Sequence, residues 1–111
     1  MNTIKDCVVR NIEDAHGNPA GGSVAGIGLQ IDWQNGPLGR DADRKEPNGA
    51  FVETILSAVL QRIEWYQTAS NGKFRCRENA IAITKIEEAL LWLDKRTRDR
   101  EARMVEGTHS K

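Results

Sequence analysis

The amino-acid sequence predicts an α+β fold, a short N-terminal antiparallel β-sheet followed by a long C-terminal helical hairpin. Three observations carry this reading. Asn79, Ile83, Ile86, Leu90, Leu93, Thr97, Arg100 and Met104 recur in alternating steps of four and three, so they line one face of a helix. Val52, Ile55, Val59, Ile63 and Tyr66 form the inner stripe of a second helix, and Ser70-Asn71-Gly72 separates the two with turn chemistry. Upstream, Ile27, Leu29, Ile31 and Trp33 alternate with Gly26, Gly28, Gln30 and Asp32, the period of a half-buried strand.

Taken in order, Ile4 to Ile12 predicts a first strand, rich in β-branched residues around Val8 and Val9. His16-Gly17-Asn18-Pro19 and Gly21-Gly22 read as a loop. In the alternating strand that follows, Gly26 and Gly28 weaken the element unless something approaches closely, either another part of the chain or a ligand. Gln34-Asn35-Gly36-Pro37 turns the chain, and Leu38 to Asn48 is a solvated loop dense in charges of both signs. Asn48 is the candidate N-cap of the first helix, which runs to about Thr68. Phe51, Leu56, Leu60 and Trp65 widen its stripe, so the helix needs cover on two sides, from the strands and from the second helix. Phe74 and Cys76 lead into the long helix, which meets no Gly or Pro before Gly107, its predicted stop. The whole reads as a single domain over residues 1–111, with a β-rich part at 1–48 and the hairpin at 49–111.

Composition excludes several classes of function. Sixteen basic and sixteen acidic side chains cancel, which argues against a general coat for DNA or RNA. No stretch is apolar enough to cross a membrane, and the N-terminal residues lack the apolar core of a secretory signal. Cys7 and Cys76 are isolated and read as buried structural thiols rather than a disulfide. His16 and His109 have no metal-ligand spacing, and no nucleophile elbow, phosphate loop or dinucleotide fingerprint occurs. The sequence therefore asks for no cofactor and argues for no enzyme.

Two surpluses remain on the long helix. Ile81, Leu91 and Trp92 lie off the main stripe, where a lone chain with one partner helix would expose them, so they predict a homo-oligomer. Lys95, Arg96, Arg98, Arg100 and Arg103 cluster near its end. Pairing of Asp94 with Arg98 and of Asp99 with Arg103 at i,i+4 gives part of this cluster an ordinary role. Arg96, Arg100 and Arg103 instead continue the inward stripe, and symmetry copies of them would build a phosphate-binding cup.

These residues also carry a resemblance. Glu78-Asn79-Ala80, Ala82-Ile83, Ala89-Leu90, Trp92-Leu93, Arg96-Thr97, Arg100, Arg103 and Val105-Glu106-Gly107-Thr108-His109 resemble the helical-hairpin domain of phage cyclic-nucleotide sponges. Residues 26–38, GIGLQIDWQNGPL, with Asn48-Gly49-Ala50-Phe51-Val52-Glu53, are similar to the branch that counters Thoeris defence. The resemblance implies a non-enzymatic phage protein acting in the cytoplasm of the infected bacterial host. It would sequester glycocyclic ADP-ribose and the cyclic di- and trinucleotides of CBASS defence, as dimers that assemble into hexamers. One departure stands in the motif: Met104 occupies a position where glycine is common, which predicts disturbed packing of the C-terminal ends.

Under that resemblance the expected pocket for glycocyclic ADP-ribose or a cyclic dinucleotide lies near the helix turn. Tyr66 or Phe74 would stack, Asn79 hydrogen-bond and Arg96 pair with phosphate. Tyr66, Phe74 and Trp33 also have an ordinary reading as core aromatics, and Asn79 as a helix cap. A separate trinucleotide site is expected at Arg100, Arg103, Gly107 and Thr108. The alternative from another class is a small phage structural or regulatory protein that uses the hairpin only for oligomerisation.

Overall fold

The structure, a computed structural model, describes residues 6–111. The chain divides into two compact units. One comprises the described residues up to Phe51 together with Arg103–Lys111, and the other is Val52–Ala102.

The first unit is built on a three-stranded antiparallel meander, β1 (Val8–Glu13), β2 (Pro19–Gly26) and β3 (Leu29–Asp32), in that spatial order. The predicted first strand is realised from Val8; Ile4 and Lys5 lie outside the described residues. The loop before β2 is shorter than its composition suggests, because Asp14 organises it. The Asp14 N–H donates to the Asn18 carbonyl at 2.9 Å, and its carboxylate accepts the N–H groups of His16 and Asn18 at 2.8 and 3.0 Å. Those donors, Asn18 first, hold the carboxyl below the ordinary aspartate range.

The alternating segment is two elements, not one strand. Gly26 pairs with Leu29 across a two-residue turn of Ile27 and Gly28. Ile27 is therefore fully exposed at the hairpin tip, and Gly28 supplies the positive φ (+73°) that the turn needs. Gly26 has a packing reason: a Cβ there would stand 2.7 Å from the Cys7 sulfur. Val24 and Ile31, paired across β2 and β3, are the buried apolar residues among those described.

Beyond β3, Trp33 and Ala50 bridge in parallel, with the Ala50 N–H donating to Asp32 O at 2.7 Å and the Gln34 N–H to Ala50 O at 2.9 Å. Asn48 belongs to this clasp and is not a helix cap. Its side chain accepts the Asn35 N–H at 2.8 Å and donates to Asn35 O at 3.0 Å, while the helix starts only at Val52. The C-terminal segment belongs to the same unit. Gly39 N–H donates to Gly107 O at 2.8 Å, and Arg40 Nη1 to Glu106 O at 3.2 Å.

The second unit is the hairpin of α1 (Val52–Gly72) and α2 (Arg77–Ala102). Regular helix in α1 ends at Thr68, as predicted: Ala69 is extended, and Ser70, Asn71 and Gly72 are left-handed. The predicted α2 stripe is half-buried from Asn79 through Thr97, and Arg100 is buried. The stripe does not reach Met104, because α2 stops at Ala102 and Met104 turns left-handed (φ +60°) with its side chain exposed. Gly107 is thus no helix stop; it is a packing glycine whose Cβ would strike the Gly39 carbonyl.

In α1 the half-buried seam is Ile55, Leu56, Leu60 and Ile63, while Val52, Val59 and Tyr66 turn outward. A helix apolar nearly all round satisfies the helical period in more than one rotation, so the period alone does not choose the face. Neither helix holds a buried apolar side chain, and Ile81, Leu91 and Trp92 are exposed as predicted. The thiols are free but not buried: Cys7 is half-exposed and Cys76 exposed.

Candidate functional site

Within the hairpin unit, the helix turn is fastened by one side chain. Gln67 accepts the Cys76 N–H through Oε1 and donates to Cys76 O through Nε2, both at 3.0 Å. Arg75 Nε adds a bond to Gln67 O at 3.1 Å. Cys76, fixed in this way, caps α2 by accepting the Asn79 N–H on its sulfur at 3.4 Å. The predicted capping role of Asn79 is therefore overturned: its backbone is what is capped, and the cap is Cys76. Among the described residues the Asn79 side-chain amide makes no hydrogen bond; the residue is half-buried, and its amide atoms remain open to water. An amide so placed has two donors and two acceptor lone pairs to offer.

Asn79 lines a pocket of about 630 Å³ together with Arg62, Trp65, Tyr66, Ala69, Ser70 and Phe74. Three residues singled out by the sequence, Tyr66, Phe74 and Asn79, are thereby brought together. Arg96 is not with them in one chain. It stands seventeen residues beyond Asn79 on α2, roughly 25 Å along the axis at 1.5 Å per residue.

The rings are arranged for stacking. Trp65 and Tyr66 have centroids 5.5 Å apart and planes tilted by 58°. The Arg62 guanidinium lies 4.6 Å from the Trp65 centroid and 5.0 Å from that of Tyr66, and its Nε donates to the Tyr66 hydroxyl at 3.3 Å. Phe74 is largely exposed, with Lys73 Nζ 5.4 Å from its ring centroid. Sequence reasoning missed Arg62 and Trp65 here. The available signal was spacing, since an arginine three and four residues before two aromatic rings shares their helix face. Chemically the pocket offers ring faces for a planar heterocycle, an amide for its polar edge and a cation. Among the described residues, no histidine, thiol or carboxylate lines it.

The remaining candidates are placed differently. Arg103 is exposed past the end of α2, and Arg100 is buried. Gly107 N–H donates to Glu106 Oε1 at 3.2 Å, and the Thr108 hydroxyl donates to Val105 O and accepts the Ser110 N–H at 3.1 Å. These groups have internal partners, unlike the amide of Asn79. Trp33 belongs to the first unit. On the outer face of α2, Leu91 and Trp92 form an apolar strip flanked by the ion pairs Lys95–Asp99 at 2.7 Å and, as predicted, Asp94–Arg98 at 3.0 Å. Among the described residues no helix is long and apolar enough to cross a membrane, and no cluster of His, Cys, Asp or Glu is placed to hold a metal ion.

Comparison with known proteins supplies context for the turn pocket. A family model described as "Acb2/Tad1, hairpin domain" matches residues 26–98. A relative named Thoeris anti-defense 1, from Bacillus phage SBSphiJ7, is 46% identical over 87 residues, covering 78% of this chain and 56% of the relative. The chain thus matches little more than half the length of that protein.

Proposed function

The chain belongs to the Acb2/Tad1 hairpin-domain family, and from this premise we propose that it is a phage anti-defence protein that binds and sequesters cyclic nucleotide immune signals without cleaving them. The observation that carries the proposal is the turn pocket, where Tyr66, Phe74 and the unpartnered amide of Asn79 converge. Glycocyclic ADP-ribose and cyclic dinucleotides combine a base, which stacks on rings, with phosphates, which need cations. The relative's name points to Thoeris as the defence opposed. Arg96 enters the pocket from a second copy, because its own copy holds it far along α2. A homo-oligomer, hexameric by family resemblance, is therefore part of the proposal. Cyclic trinucleotides are assigned to symmetry copies of the C-terminal ends, where Arg103 is an exposed cation.

Sequestration is tested by mixing the purified protein with glycocyclic ADP-ribose, removing the protein by filtration, heating it and assaying the released fraction. Depletion followed by recovery of intact ligand is expected. Linear products would indicate an enzyme, and no depletion would favour a hairpin that serves oligomerisation alone. In the same assay Asn79→Ala should weaken binding by about 1 kcal/mol, roughly five-fold in Kd, the usual scale for one neutral hydrogen bond.

A further inference from the structure

We propose that Arg62 is the phosphate-binding cation that each chain contributes to its own turn pocket, held ready on the faces of Trp65 and Tyr66 until a nucleotide takes it over. This rests on the nucleotide-binding reading of the same pocket. Among the described residues lining it, Arg62 carries the only charge. The guanidinium spends one N–H on the Tyr66 hydroxyl, and among the described residues no carboxylate forms an ion pair with it. Four of its five N–H donors thus remain for an anion.

The placement of Arg62 follows from its helix. Positions 62, 65 and 66 share one face of α1, so the planar fork rests against two rings, 4.6 and 5.0 Å from their centroids. Such stacking restricts the rotamers of a long side chain before any ligand arrives, which lowers the cost of ordering it on binding. The contact is also weak at an exposed position, so a phosphate can outbid it. A base entering over Tyr66 would compete for the surface that the guanidinium covers, and the displaced fork would then meet the phosphate carried by the same nucleotide. The ligand class follows: a planar base with a phosphate one sugar away. A free nucleoside lacks the second half of this recognition, and inorganic phosphate lacks the first.

Calorimetry of wild type, Arg62→Ala and Arg62→Lys with glycocyclic ADP-ribose, adenosine and inorganic phosphate tests the assignment. Arg62 is exposed, so both variants should keep the helical content of wild type, which circular dichroism checks. Arg62→Ala should raise Kd for glycocyclic ADP-ribose about 10- to 100-fold, the scale of a lost charge-assisted hydrogen bond. Arg62→Lys should recover part of the loss, since it keeps the charge without the fork. Adenosine should bind weakly and alike to all three proteins, and inorganic phosphate should bind none of them measurably. Wild-type affinity in Arg62→Ala would overturn the assignment while leaving the proposed function standing. Equal losses for adenosine and glycocyclic ADP-ribose would also overturn it, because Arg62 would then merely support the rings. Failure of wild type to bind glycocyclic ADP-ribose would remove the proposed function and this assignment together.

Discussion

Met104 shows how one residue can satisfy a fold at a cost. It lies in the left-handed region (φ +60°) just past the last turn of α2, with its side chain 71% exposed. A residue with a Cβ pays roughly 1–2 kcal/mol for that conformation, which is why helices so often place glycine there. The resemblance marks Met104 as standing where glycine is expected, and the left-handed backbone there is one that glycine adopts without strain. The expected consequence was disturbed packing of the C-terminal ends; within one chain the side chain is exposed and the cost falls on the backbone. Met104→Gly should therefore stabilise the protein by about 0.5–1 kcal/mol, after the greater freedom of glycine in the unfolded chain is deducted. Met104→Ala, which removes bulk but keeps the Cβ, should not. Denaturant midpoints of the two variants separate the explanations, and equal midpoints would exclude the backbone account. Asn79 is the opposite case. Sequence reasoning singled out a polar residue on an apolar stripe, and among the described residues its amide has no internal hydrogen bond.

At the scale of elements, what was legible depended on how uniquely a pattern fixed its structure. The stripe of α2 was readable residue by residue from Asn79 to Arg100 because polar positions separate the apolar ones and no Gly or Pro interrupts the helix there. The seam of α1 was not, since Val52, Val59, Trp65 and Tyr66 satisfy the helical period as well as the residues that pack. The β2–β3 boundary was hidden because Ile27 at a hairpin tip continues the alternation of the strand beyond it. Asn48 looked like a cap from its neighbours in sequence, whereas its partner, Asn35, comes from across the clasp. Arg62 carried little signal in the sequence, because a single arginine on a helix face is outweighed by the arginine-rich end of α2. The helix turn was read correctly, but not its fastening. Gln67 bonds both the N–H and the carbonyl of Cys76, nine residues away, through a side chain with no special signature. Gln67→Ala should cost about 1–2 kcal/mol in unfolding free energy, two hydrogen bonds of ordinary strength. It should also weaken ligand binding, because Phe74 and Asn79 flank the residue that it holds. Unchanged stability together with unchanged affinity would show that the turn is held by its left-handed backbone alone.

For the whole molecule, the decisive fact is how little apolar surface one chain covers. Among the described residues only Val24 and Ile31 are buried hydrophobics, and neither helix of the hairpin contributes one. A chain of this size has little core to spare, so exposed Leu91 and Trp92 call for a partner, and a second copy is the proposed one. Trp92→Glu should shift light scattering toward the 12.4 kDa of a single chain, because its charge would lose water without gaining a counterion. The proposed assembly would also bring Arg96 of a second copy to the turn pocket, and a mixing experiment tests that directly. Asn79→Ala and Arg96→Ala should each weaken binding when pure. Suppose each pocket of a two-fold pair takes Asn79 from one copy and Arg96 from the other. A mixed pair then contains one pocket with both residues intact and one with neither. Random co-assembly makes half of the pairs mixed, so about one quarter of all pockets should regain wild-type affinity. If Arg96 served the pocket of its own chain, every pocket in a mixed pair would still lack one residue. Titration of the co-expressed variants should therefore show a high-affinity fraction near one quarter, and its absence from a verified mixed assembly would place Arg96 outside the shared site.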